Sequence, residues 1–180
     1  MGLTLIDTTG AISACEVEIT GLDDSYAAYE FHFYNLHPSA AYASWVFQVN
    51  TSYNQNINST ALRTYANETH ATTHDAARGY QTGADTHVGA SSGTFCPLND
   101  SVNNGNATNA LSVVMTLYDP SSTRYSKHFI SKTDAQTSST YQQYTQVAGY
   151  IKTQSAVDRI KFKFASGDID AGEIKWFGYS

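Results

Sequence analysis

The sequence predicts an all-β protein, an antiparallel jelly-roll-like β-sandwich of about eight strands. Three observations support this class. Apolar and polar residues alternate with a period of two along several stretches, as they do in strands that bury one face. Turn-forming stretches such as "TGLDDSY" and "YDPSS" separate these stretches. Convincing helical stripes of apolar residues are almost absent. We expect residues 1–180 to form a single domain, because a chain of this length can bury a sizeable core.

The strands are predicted in chain order from this alternation. The first three are residues 11–20, 26–34 and 45–49, each with one face toward a core. The first also places Cys15 on the same face as its apolar residues. A fourth strand, residues 111–117, ends where Pro120 suits a turn and cannot donate to a ladder. Residues 125–130 and 144–151 are the fifth and sixth predicted strands.

The chain closes on its most regular pattern. Between residues 157 and 165, Ile160, Phe162 and Phe164 alternate with basic residues, and residues 173–179 follow after a turn rich in Gly and Asp. These two strands are predicted to form a terminal hairpin within the core. The residues predicted to face inward are Val17, Ile19, Phe31, Phe33, Phe47, Val113, Met115, Ile160, Phe162, Phe164, Ile174 and Trp176.

Residues 60–108 fit neither the two-residue period of a strand nor the 3.6-residue period of a helix. The stretch "HATTHDAARGYQTGADTHVGASSG" shows no clean alternation, and its Thr and Asn residues are poor helix formers. We predict an irregular strand followed by a long excursion with at most one helical turn. Long loops on a β-scaffold often carry binding surfaces.

Charge and composition exclude several classes of function. The net charge of −6 and the absence of a Lys/Arg cluster argue against a nucleic-acid partner. No run approaches the roughly 20 apolar residues of a membrane span, and no signal peptide is recognisable at the start. Cys15 and Cys96 could form a disulfide in an oxidising compartment, but two separate small core residues are the favoured interpretation.

Candidate catalytic and metal sites are sparse. There is no Gly-x-Ser-x-Gly elbow and no phosphate-binding loop, so no catalytic residue and no cofactor is predicted. His70 and His74 have the i, i+4 spacing of a metal-binding pair, and Asp168 and Asp170 could contribute to a calcium site. A solvated loop and a polar turn are the favoured alternatives. Histidines could also share an ion at the three-fold axis of an oligomer.

Aromatic residues suggest a binding surface instead. The chain has 13 tyrosines and 2 tryptophans beside many Ser, Thr, Asn and Gln residues, a composition suited to stacking on sugar rings and bonding their hydroxyls. The alternative is that most rings are buried in the sandwich. The tyrosines predicted to lie in loops or at edges, where they would contact a glycan or a partner, are Tyr53, Tyr65, Tyr80, Tyr141 and Tyr144.

Two segments, "LSVVMTLYDPSSTRYSKHFIS" and "AGYIKTQSAVDRIKFKFASGDIDAGEIKWFGYS", resemble the C-terminal half of a large family of virion proteins of tailed bacteriophages, common in marine and cyanobacterial phages. The front half is similar as well, through "ITGLDDSY" and "NLHP". Asp168 stands where the family tends to have Asn, and Ala171 where it tends to have Ser. Both replacements preserve turn chemistry.

The resemblance implies a non-enzymatic β-sandwich on the surface of a virion that is assembled in the host cytoplasm. A capsid-decoration or head-fibre protein is the favoured expectation, because no heptad shaft precedes the first predicted strand. A tail-fibre or baseplate adhesion subunit that binds a host surface glycan is the alternative, and a polysaccharide depolymerase is a minor one. The expected partners are further copies of the chain, most plausibly in a homotrimer, and the major capsid or tail proteins.

Overall fold

A computed structural model of the chain describes residues 2–50, 52–67, 78–80, 86–88, 94–138 and 141–180. Within these residues every regular element is a β-strand, and the strands form two antiparallel sheets. Side chains from both sheets belong to one hydrophobic cluster. The predicted all-β class is therefore confirmed, with two layers consistent with a β-sandwich.

Thirteen strands lie in the described part of the chain, where the sequence predicted about eight. Their bounds are β1 Leu3–Ala11, β2 Val17–Thr20, β3 Ala28–Pro38, β4 Trp45–Val49, β5 Ile57–Asn67, β6 Arg78–Tyr80, β7 Thr86–Val88, β8 Cys96–Pro97, β9 Leu111–Tyr118, β10 Lys127–Ser138, β11 Tyr141–Ile151, β12 Arg159–Phe164 and β13 Ile169–Tyr179. The large sheet has the order β1-β13-β3-β9-β10-β11-β5-β6, with β7 also paired to β5, and the small sheet has the order β2-β12-β4-β8.

The strands beyond the eight are β1 and β5 to β8. β5 pairs with β11 in unbroken register from Ile57 to Asn67, so a strand does lie at the predicted position, but it is regular and not irregular. The described residues between 60 and 108 contain no helix. The sequence pattern did not show β5 as a regular strand because two of its inward residues are small, Ser59 and Ala61, which leaves no large apolar alternation.

The last two strands do not form a hairpin. β12 pairs with β2 and β4 in the small sheet, whereas β13 pairs with β1 and β3 in the large sheet. The turn between them is anchored to the β3–β4 connection: Ala165 N donates to Ser44 O at 2.8 Å, and Asp168 N donates to Ser39 Oγ at 2.8 Å. The chain therefore crosses from one sheet to the other, and the two strands enter the same core from opposite sides.

The core lies between the two sheets. Of the twelve residues predicted to face inward, Val17 and Trp176 are partly buried and pack against the cluster, and the other ten are buried. Burial of aromatic and aliphatic side chains is the main stabilising contribution in a domain of this kind.

Strand β4 is buried on both faces, contrary to the prediction of one buried face. Gln48, which alternation places on the outer face, is 0% exposed and donates from Nε2 to Gln55 O and Thr94 O, both at 3.0 Å. Tyr53 stacks on Phe95 with ring centroids 6.4 Å apart beside this strand. Residues 53–55 and 94–95 thus cover the outer face of β4, which the alternation in β4 could not reveal.

The two cysteines lie in different environments. Cys96 is buried in β8, as predicted, whereas Cys15 is exposed because β2 begins only at Val17. The placement of Cys15 on the inward face was wrong, and no disulfide joins the two residues.

Tyr29 gives the fold a specific sensitivity to alkaline pH. Tyr29 is 2% exposed, and its hydroxyl donates to Asp23 Oδ1 at 3.0 Å. The hydroxyl oxygen of Tyr29 also accepts from the backbone N–H of Asp23 at 3.0 Å. Burial raises the pKa of Tyr29 to about 12. An unfolded tyrosine ionises near pH 10, so between about pH 10 and 12 the unfolded state has lost the proton that the folded state retains.

We therefore expect stability to fall as pH rises above 10, with Tyr29 contributing on the order of 2 kcal/mol of the loss. Urea unfolding of the wild type and Tyr29→Phe between pH 9 and 11.5 measures this contribution. The variant should show the shallower pH dependence, whatever its stability at neutral pH. The same pH dependence of the unfolding free energy in both proteins would contradict the contribution assigned to Tyr29.

Candidate functional site

The tyrosines predicted to contact a glycan whose side chains the structure describes do not share one surface. Tyr53 is partly buried, with Lys161 Nζ 4.1 Å from its ring centroid. Tyr65 is partly buried under the guanidinium of Arg63, 4.7 Å from its centroid. Tyr141 is partly buried at the start of β11, and the side chain of Tyr80 lies outside the described residues. Tyr144 lines a surface depression.

The predicted metal ligands are only partly described. His70 and His74 lie outside the described residues. Asp168 and Asp170 are exposed, and Asp170 Oδ2 is 3.3 Å from His37 Nδ1. Within the described ranges, no three His, Cys, Asp or Glu residues are grouped as metal ligands would be.

Two adjoining depressions lie on the outer face of the large sheet, and we call them together the Asp134 groove. Their volumes are about 330 and 220 Å³, and they share Ser112 and Asp134. The larger has mainly polar side chains at its surface, and we call it the polar half; the smaller is mainly apolar, and we call it the apolar half. The other side chains that line the polar half include Asn35, Thr108, Gln136 and Gln142; those that line the apolar half include Tyr34, Val114, Lys132 and Tyr144.

Strand register brings these residues together. Ser112 on β9 is the partner of Asp134 on β10, which is in turn the partner of Tyr144 on β11. Their neighbours Val113 and Thr133 are buried, so alternation directs Ser112 and Asp134 outward. Neighbouring strands are about 4.8 Å apart, which makes the three residues one row across three strands.

A β-bulge places Asn35 beside this row. β3 and β9 are paired at Phe33 with Val113 and again at Leu36 with Leu111, so β3 has one additional residue between these points. Asn35 adopts a φ of 49° there, and its backbone N–H donates to Ser112 Oγ at 3.3 Å. Bulges commonly redirect a side chain next to a site. Here the bulge makes Asn35 part of the groove lining.

The polar half contains a carboxylate held by an amide. Gln142 Nε2 donates to Asp134 Oδ1 at 2.5 Å. One oxygen of Asp134 therefore remains as an acceptor, and the Gln142 carbonyl oxygen remains as another. Lys132 supplies an ammonium group at the edge of the apolar half. Among the lining residues, Asp134 has the only carboxylate side chain.

A chain of hydrogen bonds holds Tyr34 at the edge of the groove. Glu30 Oε1 is 2.6 Å from His32 Nε2, and His32 Nδ1 is 3.0 Å from the Tyr34 hydroxyl. The other oxygen of Glu30 accepts from Tyr179 at 3.0 Å and from Thr116 at 3.3 Å. The bond to Glu30 raises the pKa of Tyr179. This network provides a hydrogen-bond partner that orients the Tyr34 hydroxyl.

In comparisons with known proteins, no family model, no curated protein and no solved structure matches this chain. The resemblance to phage virion proteins therefore rests on the quoted segments alone. In the part of the chain that the structure describes, no helix has the length and apolar character needed to cross a bilayer.

The groove is chemically suited to recognition of a small hydroxylated molecule. It combines hydrogen-bonding groups with aromatic rings, the combination that positions a ligand in most small-molecule sites. Sequence reasoning missed Tyr34, Asn35, Ser112, Asp134 and Gln142. Alternation does place Ser112 on an outer face, but only the register of β9, β10 and β11 brings it next to Asp134.

Proposed function

We propose that this chain is a non-enzymatic structural protein on the surface of a bacteriophage particle, of the capsid-decoration or head-fibre type. The resemblance of its terminal segments to phage virion proteins supports this, and the observation that carries it is a broad outer sheet face with exposed apolar side chains. These side chains, on three strands of the large sheet, are Leu62, Val114, Tyr118 and Tyr150. We propose that this face contacts another protein of the particle.

Strand order supports a more specific architecture. We propose that eight of the strands form a jelly roll: β1-β13-β3-β9 in one sheet and β2-β12-β4-β8 in the other. Consecutive members of this set change sheets at every step except from β4 to β8, which both lie in the small sheet. The strands β10, β11 and β5 then extend the first sheet. Jelly rolls are frequent in capsid proteins, which agrees with a role in the particle.

Location on intact particles tests the function. Cryo-electron microscopy of the phage, or gold-labelled antibody against this chain, is expected to show copies distributed over the capsid. The same map should show three copies around each axis if the assembly is a homotrimer. Label confined to the tail tip or fibres would overturn the decoration proposal and favour adsorption to the host.

A tail-fibre or baseplate adhesion subunit that binds a host surface glycan is the second candidate. The observation that favours it is the Asp134 groove, with tyrosines beside hydrogen-bonding side chains. A depolymerase has no comparable support, since glycoside hydrolysis generally uses two carboxyl groups across the scissile bond. The groove lining has one carboxylate side chain.

A further inference from the structure

We infer that the Asp134 groove binds a neutral pyranose sugar, with adjacent hydroxyls on Asp134 and Gln142 and a C–H face of the ring against Tyr144 and Val114. The inference names a ligand class and a binding site for the adhesion subunit proposed above. It rests on that proposal for the biological role of binding. Binding by the isolated protein is independent of where the chain lies on a particle.

The division of the groove matches the division of a sugar ring. A pyranose has hydroxyls at its rim and C–H groups on its faces, so it needs polar partners beside an apolar surface. The polar half offers Asn35, Gln136 and Gln142, and the apolar half offers Tyr34, Val114 and Tyr144. Because the two halves meet at Ser112 and Asp134, one ring can contact both. The volume of the polar half, about 330 Å³, is at the lower end of small-molecule sites.

The hydrogen-bonding groups of the polar half favour a ligand that donates hydrogen bonds. A carboxylate only accepts, and the bond from Gln142 Nε2 leaves acceptor oxygens on both side chains. Two adjacent hydroxyls can donate to these oxygens, and the Ser112 and Asn35 side chains can donate back to the ligand. An acidic sugar would place its own carboxylate near Asp134, and the one cationic residue in the lining, Lys132, belongs to the apolar half and not to the polar half that would hold the hydroxyls.

The site is already in place before a ligand arrives. Ser112, Asp134 and Tyr144 lie on paired central strands of the large sheet, and Tyr34 is held through His32 and Glu30. Binding to such a fixed site requires little ordering of side chains, which lowers its entropic cost.

Nuclear magnetic resonance titration of the full chain tests this inference. The probes are the methyl pyranosides of glucose, galactose and mannose, with sodium glucuronate as the acidic comparison and tetrahydropyran-2-methanol as a ring without adjacent hydroxyls. We expect at least one neutral pyranoside to shift the Gln142 side-chain amide and the backbone amides of Ser112 and Asp134. The two comparison compounds should bind at least about tenfold more weakly: tetrahydropyran-2-methanol because it loses a hydrogen bond to a charged group, and glucuronate because its carboxylate is repelled by that of Asp134.

Variants then assign the contacts. Asp134→Ala should weaken binding of the responding pyranoside at least about tenfold, and Tyr144→Ala should weaken it more than Tyr144→Phe does. Tyr118→Ala is the matched control, since Tyr118 is exposed on the same sheet face but does not line the groove. Backbone spectra establish that each variant remains folded.

Three results would overturn the inference: no shift with any neutral pyranoside, preferential binding of glucuronate, or equal loss of binding in Tyr118→Ala and Asp134→Ala. A chain found on the tail that fails this titration would retain the adhesion role with a different ligand. A chain found on the capsid that passes it would be a decoration protein with a sugar site.

Discussion

Replacing Phe162 with alanine is expected to lower the free energy of unfolding by at least about 3 kcal/mol, as truncation of a buried phenylalanine usually does. Phe162 is 0% exposed at the centre of β12. Its ring centroid is 4.7 Å from that of Phe33 and 5.4 Å from that of Phe31, both in the large sheet, and it stacks on Trp45 at 6.0 Å. The ring therefore joins the two sheets, and its loss would leave a cavity between them.

Urea unfolding followed by tryptophan fluorescence and circular dichroism measures the effect. Tyr125→Ala is the matched control, because it removes an aromatic ring that is 58% exposed, and its effect should stay within about 0.5 kcal/mol. A loss below about 1 kcal/mol for Phe162→Ala would show that the space between the sheets collapses around the missing ring, or that the ring does not lie there.

Replacing Lys127 is expected to produce the second large loss, at least about 2 kcal/mol for Lys127→Ala, since bonds from a charged donor contribute about 1.5–3 kcal/mol each. Lys127 is 0% exposed at the start of β10. Its ammonium donates to the carbonyl oxygens of Ser122 at 2.5 Å, Tyr125 at 2.9 Å and Thr153 at 3.2 Å. Burial lowers the pKa of Lys127, while the carboxylate of Asp119 acts in the opposite direction.

A series of variants separates the packing of the Lys127 stem from its hydrogen bonds. Lys127→Met retains most of the stem but supplies no donor, so it should be intermediate between the wild type and Lys127→Ala. Lys132→Ala is the matched control on the same strand, because Lys132 is exposed and should cost at most about 0.5 kcal/mol. A stability of Lys127→Met equal to or above that of the wild type would mean that desolvation of the ammonium cancels its three bonds.

The fold class could be predicted because period-two alternation is a local property. In β9, Leu111, Val113, Met115 and Leu117 are all buried, as their spacing indicated. The same logic failed where the inward residues are small or the outer face is covered, as at Ser59 and Gln48. At Lys127 the alternation agrees with burial, since Phe129 shares its inward face, but a charged residue is not expected there unless carbonyl groups converge on it.

The groove could not be predicted, because its residues are distant in sequence. Asn35, Ser112, Asp134 and Tyr144 come from four strands, and the bulge in β3 that places Asn35 depends on how β3 pairs with β9. Of the tyrosines that the sequence predicted to contact a glycan, Tyr53 and Tyr65 are partly buried beside basic side chains. Of the five, Tyr144 lines the groove.

By itself, the sequence determined eight of the thirteen described strands and their apolar faces, since both follow from the alternation of side chains along the backbone. Only the tertiary structure decided that β12 and β13 belong to different sheets and that Tyr34, Ser112, Asp134 and Tyr144 share a groove. The physical reason is that alternation specifies the face of a strand but not its partner. Partners are chosen by turns, bulges and long-range packing, and the site depends on those partners.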